Sequence, residues 1–129
     1  MSLLMKKILQ RIKSLNDDKA DKVNITTGVE FKTGRIIDGK VEYGKIFEVE
    51  ALASIAGNTV IATELTNITP IRLEGYIKGA TLVSNLPFIY TGQNSVYHYC
   101  SASGNSITIR VTGDMSMYSA TEILYYTKN

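Results

Sequence analysis

The pattern of hydrophobic and polar positions divides the chain near residue 24. Before this point, apolar residues recur at alternating spacings of three and four, which predicts one narrow apolar stripe along a helix. The residues of this stripe are Met5, Ile8, Ile12 and Leu15. After residue 25 the chain consists of short apolar runs separated by turn residues, which is typical of strands. We therefore expect a helix and neck over residues 1–24 and an all-β head over residues 25–129.

Two interpretations of the helix stay open on periodicity alone. It is either an amphipathic helix packed on its own domain or one strand of a short coiled coil. Lys, Gln and Arg occupy most positions outside the stripe, and Ile8 and Ile12 place isoleucine at both seam positions, which favours three strands over two. We expect a homotrimeric coiled-coil stalk that ends in a charged neck at residues 16–24.

Nine apolar runs follow, each bounded by Gly, Asn, Asp, Ser or Pro. They are VEFKTGRII, KVEYGKIFEVE, TVIATEL, IRLEGYI, ATLV, FIY, SVYHYCSA, SITIRVT and ATEILYY. Runs of this length and spacing predict an antiparallel β-sandwich, or a jelly-roll-like or barrel variant of it. In SITIRVT the strict alternation predicts that Ile107, Ile109 and Val111 face the core, and that Thr108 and Arg110 face solvent.

The segment from Gly34 to Lys40 has nearly the spacing of a phosphate-binding P-loop. Its next residue is Val41, where that motif needs a Ser or Thr hydroxyl for magnesium. The flanking residues are β-branched and aromatic and make a poor helix start. Asp38-Gly39 between two strand-like runs instead predicts a tight β-hairpin, because its central residues need positive φ.

Composition narrows the class of protein further. A chain of 129 residues with a net charge of +2 and no basic stripe is a poor candidate for binding nucleic acid. Its single cysteine allows no internal disulfide. Charged residues interrupt every early apolar run, so we expect neither a signal peptide nor a membrane-inserted segment.

The sequence contains no convincing catalytic or metal-binding motif. On a strand, His98 and Cys100 would share a face about 7 Å apart, too far for a nucleophile and its base. A packed cysteine beside a hydrogen-bonded histidine is the simpler interpretation. Most of the carboxylates are expected on solvated strand faces, and Asp38 lies in a turn. We expect no catalytic residues, no metal and no cofactor.

Tyrosines near predicted turns are the best candidates for binding. Flat rings beside amide and carboxylate groups suit sugars, which stack through C–H faces and hydrogen-bond through hydroxyls. Packing in the core or between subunits is the alternative role for each ring. We expect glycan contacts from Asn94, Tyr97, Asp114 and Tyr118, in the segments 90–99 and 112–119.

Both ends of the predicted head resemble the C-terminal head domains of phage and prophage tail fibres and baseplate receptor-binding proteins. In that family a segment like W-I-D-G-K-P-I-Y-R-K opens the domain and one like Y-x-T-x-E-Y-T-K closes it. The matching positions are Ile37, Asp38, Gly39, Lys40, Tyr43, Lys45, Tyr126, Thr127 and Lys128. The departures are Ile36 for Trp, Val41-Glu42 for Pro-Ile, and Gly44 for Arg.

The resemblance implies a trimeric head on a fibrous or coiled-coil stem, located in a virion tail and made in the bacterial cytoplasm. It implies non-enzymatic binding to bacterial cell-surface polysaccharide and contact with other tail or baseplate proteins. Two other functions stay open: a structural fibre-tip module that binds nothing specific, and a cell-wall-degrading enzyme domain.

Overall fold

The computed structural model describes residues 2–9, 27–90 and 94–129. Residues 3–9 form a short helix, α1, on which Met5 and Ile8 are exposed. The other two residues of the predicted seam, Ile12 and Leu15, and the predicted boundary near residue 24 lie outside the described residues. No helix in the described part of the chain is long and apolar enough to span a membrane.

The described residues from 27 onward form eight antiparallel strands in two sheets, which confirms the all-β prediction. One sheet has five strands in the order β1-β2-β8-β4-β5, and the other has three in the order β3-β7-β6. The strands are β1 (Phe31–Ile37), β2 (Lys40–Val49), β3 (Gly57–Ala62), β4 (Ile68–Lys78), β5 (Val83–Asn85), β6 (Val96–Cys100), β7 (Ser106–Val111) and β8 (Ser119–Lys128).

Seven of the nine apolar runs coincide with strands, and two do not. The run ATLV overlaps β5 only at Val83. The run FIY forms no strand, since only Phe88 makes an isolated bridge, to Val96.

The hairpin predicted at Asp38-Gly39 joins β1 to β2. Ile37 pairs with Lys40 across the turn, and Asp38 and Gly39 both have positive φ, 49° and 77°. Positive φ at both central residues defines the turn type whose twist matches that of the flanking strands. The hairpin interpretation is confirmed.

The core lies between the facing sides of the two sheets. The five-stranded sheet contributes Phe47, Ile77, Leu124 and Tyr126, and the three-stranded sheet contributes Val96, Ile107, Ile109 and Val111. The predicted inward direction of the last three residues is confirmed. Because both hydrophobic clusters draw residues from both sheets, the two layers pack as a sandwich-like head.

The predicted outward direction of Thr108 is confirmed, but its predicted exposure to solvent was wrong; Arg110 is exposed as expected. Thr108 points away from the core, yet only 7% of it is accessible. It occupies the middle strand of its sheet, directly opposite Val60 on β3 and Tyr99 on β6. Side chains on neighbouring strands cover a small central residue, so facing outward does not guarantee contact with water.

One end of the sandwich carries most of the long connections. There β2, β4 and β7 end while β3, β6 and β8 begin. We call this the loop end; its described segments are residues 50–56, 79–82, 86–90, 94–95 and 112–118. The opposite end carries the Asp38-Gly39 turn and Asn129.

Candidate functional site

An open cleft of about 370 Å³ lies at the loop end. Its polar lining comes from Asn94, Asp114 and Tyr118, three of the four residues predicted to contact glycan. The remaining lining residues are apolar or aromatic: Leu82, Phe88, Tyr90 and Met115. The cleft therefore brings together residues of the two predicted segments, 90–99 and 112–119, and adds Leu82 and Phe88 from outside them.

Asn94 ties the two segments together. Its Nδ2 donates a hydrogen bond of 2.9 Å to the backbone carbonyl of Asp114, and its side chain lies against Gly113. The adjacent backbone is fixed as well, because the amide of Ser95 donates to Oγ1 of Thr112 at 2.8 Å. One wall of the cleft is thus held to the other by hydrogen bonds.

Asp114 supplies the carboxylate of the cleft. Its Oδ1 accepts hydrogen bonds from the backbone amide and the hydroxyl of Ser116, at 3.0 and 2.7 Å. These bonds stabilise the ionised form and lower the pKa of Asp114 below its ordinary value. The carboxylate is exposed, charged at neutral pH and fixed in direction.

Three aromatic rings border the same space. Phe88 and Tyr90 stack with centroids 6.2 Å apart and planes inclined by 23°. Tyr118 is half-buried, with its ring against Gly79 and the core, and its backbone carbonyl accepts a bond from Leu52. Tyr90 is 55% exposed and presents most of its surface to solvent.

Such a lining can bind a small polar ligand that also has an apolar face. Aromatic faces pack against C–H groups, while the carboxylate and the tyrosine hydroxyls exchange hydrogen bonds with ligand hydroxyls or amines. Sugars combine both features. A concave surface with a few fixed polar groups is the usual form of a small-molecule site.

The structure does not bring Tyr97 to this cleft. Tyr97 lies on β6 opposite Arg110, on the outer face of the three-stranded sheet, together with Tyr99. Conversely, Phe88 and Tyr90 belong to the cleft but were not among the predicted contacts. Their position in the chain, at or next to the predicted segment 90–99, was the signal that could have found them.

A buried hydrogen-bonded contact between a histidine and a carboxylate joins the two sheets behind the loop end. Nδ1 of His98 lies 2.8 and 3.0 Å from the two carboxylate oxygens of Glu122. Glu122 is fully buried, and its burial raises its pKa above the ordinary value, although the contact with His98 acts in the opposite direction. The hydrogen-bonded histidine was predicted, but its partner was not.

The expectation that most carboxylates lie on solvated faces was wrong for Glu122 and for Glu42. Both are fully buried. Strand parity contained a signal for Glu122, because it alternates in phase with Ala120, Leu124 and Tyr126, which face the core. Glu42 accepts a hydrogen bond of 2.7 Å from Thr33, while its Oε2 has no partner among the described residues.

Cys100 packs against the core and is not near a reactive partner on its strand. Its thiol donates to the carbonyl of Ser101 at 3.3 Å, and burial raises the pKa of the thiol. Such a thiol is a weak nucleophile at neutral pH. In the part of the chain that the structure describes, no cluster of three or more His, Cys, Asp or Glu side chains could hold a metal ion.

Comparison with known proteins adds no relative. No family model matches the chain, and neither a curated protein nor a solved structure matches it.

Proposed function

We propose that this chain is a trimeric receptor-binding head of a phage or prophage tail, and that its loop-end cleft binds bacterial cell-surface glycans. The cleft is the observation that carries the binding function. The assignment to a tail, the trimer and the coiled-coil stalk rest on the sequence resemblance and on the isoleucine seam.

The two segments that carry the resemblance are neighbours in space. β2 contains most of the opening segment and pairs with β8, which contains the closing segment. Tyr43 and Tyr126 lie directly opposite each other, with ring centroids 6.1 Å apart. Nζ of Lys128 lies 4.2 Å from the centroid of Tyr43. Because the two segments contact each other, packing is a physical reason for them to occur in the same chain. Their resemblance to tail-fibre heads therefore supports a similar fold more directly than a similar ligand.

The chemistry of the cleft favours binding over hydrolysis. A glycosidase needs two carboxyl groups that flank the scissile bond at a set separation. Among the described lining residues, Asp114 is the one carboxylate. A single carboxylate beside aromatic rings suits the binding of a sugar that is released without chemical change.

A trimer would also compensate for a shallow site. Open clefts with few polar groups bind single sugars weakly, because little ligand surface is removed from water. Three linked copies on one head, and several heads on one particle, convert later contacts into intramolecular events and raise the avidity without new contacts.

The test uses a matched pair of tyrosines. Tyr90 in the cleft and Tyr99 on the outer face of the three-stranded sheet are 55% and 54% exposed. Replacing either with alanine should therefore affect stability to a similar, small extent. We expect purified wild-type protein to bind a subset of a bacterial glycan array. Tyr90→Ala should weaken this binding about three- to tenfold, from the loss of stacking.

Tyr99→Ala should leave binding unchanged and lower the melting temperature only slightly, to about the same extent as Tyr90→Ala. A wild-type protein that binds no glycan on the array and no bacterial wall would refute the proposed function. Equal loss from both variants would show that the cleft is not the site.

A further inference from the structure

The described lining of the loop-end cleft carries a net negative charge. Asp114 is the one charged residue among its described lining residues. None of the ion pairs formed within the described part of the chain involves Asp114. A ligand in the cleft therefore meets a negative group with no cation among the described lining residues.

The carboxylate of Asp114 is only partly used by the protein. Both hydrogen bonds from Ser116 go to Oδ1. Oδ2 accepts no hydrogen bond from the described residues, so it is the atom available to a ligand. The hydrogen bonds from Ser116 already fix the carboxylate in an Asx-type turn. Binding a ligand donor at Oδ2 therefore costs little further conformational entropy of this side chain.

The rings around Asp114 favour a cation as well. The face of an aromatic ring carries negative potential and attracts an ammonium group within about 6 Å of its centroid. Phe88, Tyr90 and Tyr118 supply three rings in the same cleft. The carboxylate and the rings therefore attract a positive group and repel a negative one.

We propose that the cleft selects glycan units that carry a protonated primary amine over the same units with an acetylated or acidic group. This inference rests on the proposed glycan-binding function and names its ligand class. The amine can belong to a hexosamine ring or to an aminoacyl ester on a wall polymer. Its ammonium would donate to Oδ2 of Asp114, while the sugar or polymer carbons pack on the rings.

The experiment compares ligands that differ only at nitrogen. Binding of the full chain to glucosamine tetramer and to N-acetylglucosamine tetramer is measured by calorimetry or ligand-observed NMR at pH 6 and low salt. We expect wild-type protein to prefer the free amine about three- to fivefold, the range of a solvent-accessible ion pair. Asp114→Asn keeps the shape and removes the charge, so it should abolish the preference.

Asp38→Asn is the matched control. Asp38 is an exposed aspartate in the distant hairpin turn, where Asn tolerates positive φ equally well. This variant carries the same change in net charge and should keep the wild-type preference. Loss of preference in both variants would point to general electrostatics and overturn the assignment to Asp114.

A second arm distinguishes the two sources of amine. Poly(glycerol phosphate) with and without alanyl esters replaces the tetramers. An Asp114-dependent preference in either arm supports the inference and identifies the source. Equal binding of acetylated and free-amine ligands, with binding retained, overturns the inference but leaves the proposed glycan function standing. Absence of any binding in both arms and on the glycan array overturns both.

Discussion

Removing the imidazole of His98 should strongly destabilise the head. The Glu122 carboxylate is fully buried, and its one hydrogen-bond partner among the described side chains is Nδ1 of His98. His98→Leu fills much of the space but leaves this carboxylate without a partner. Breaking a buried pair in this way costs about 3–5 kcal/mol. For a head of this size, that loss lowers the melting temperature by about 12–20 °C.

The double variant His98→Leu/Glu122→Met tests whether the pair itself or only local packing is responsible. Replacing a buried ion pair with apolar residues of similar volume is often neutral or stabilising. We therefore expect the double variant to recover most of the stability that His98→Leu loses. Glu122→Gln keeps an acceptor for the histidine and serves as a milder variant if His98→Leu does not fold.

Urea unfolding followed by circular dichroism measures the free energy of unfolding of each variant. All proteins are compared at one concentration, because association would shift apparent stability. The reasoning is refuted if the free energy of unfolding of His98→Leu differs from that of wild type by less than about 1 kcal/mol, a difference comparable with the error of the extrapolation. It also fails if the double variant is no more stable than the single one.

Three further predictions follow from the same structure. Gly75→Ala should lower the free energy of unfolding by about 1–3 kcal/mol, because the added Cβ would lie 2.5 Å from Oε2 of Glu122. Gly57→Ala is the control: no neighbour lies closer than 4.0 Å, so this variant should be nearly neutral in the same unfolding assay. The folded state raises the pKa of Glu122, so its contribution to stability is fully present below the ordinary value of 4.5 and is lost as pH rises through the raised value. We therefore expect the free energy of unfolding of wild type to fall, relative to that of Glu122→Gln, as the pH rises from 4.5 through the raised pKa of Glu122. A difference between the two proteins that does not change with pH would contradict this prediction. Ile12→Asp should abolish the proposed trimer, since it would place three carboxylates in one apolar layer of the proposed stalk. An unchanged mass by light scattering would contradict that stalk.

Most of the strands could be predicted because their signals are local. A turn residue such as Gly39 and the alternation in β7 both act within a few positions of the chain. The segment from Phe88 to Tyr90 shows the limit of such reasoning. Its apolar composition resembles a strand, but a strand also needs a neighbour to pair with, and only Phe88 finds one in the described residues.

The cleft could be predicted in part, for a related reason. Composition singled out Asn94, Asp114 and Tyr118, which line one cleft, because polar and aromatic residues near turns are often exposed; their contact with a glycan stays a prediction. It could not separate them from Tyr97, which is three residues from Asn94 along the chain. The direction of Tyr97 depends on where β6 begins and on which face of that strand meets the other sheet. Both are properties of tertiary pairing, which no local pattern encodes.

The place of β8 has a consequence for synthesis. It is the last of the eight strands to leave the ribosome, yet it is the middle strand of the five-stranded sheet, between β2 and β4. Until it emerges, the hairpin β1-β2 and the pair β4-β5 have no shared neighbour, and Glu122 has not reached His98. The nascent chain therefore exposes the edges of β2 and β4 that β8 later covers, together with the core side chains that pack against Ala120, Leu124 and Tyr126. Such a state is prone to association with other chains. A polysome carrying many such chains would hold incomplete heads close together, at the moment when each needs the same missing strand.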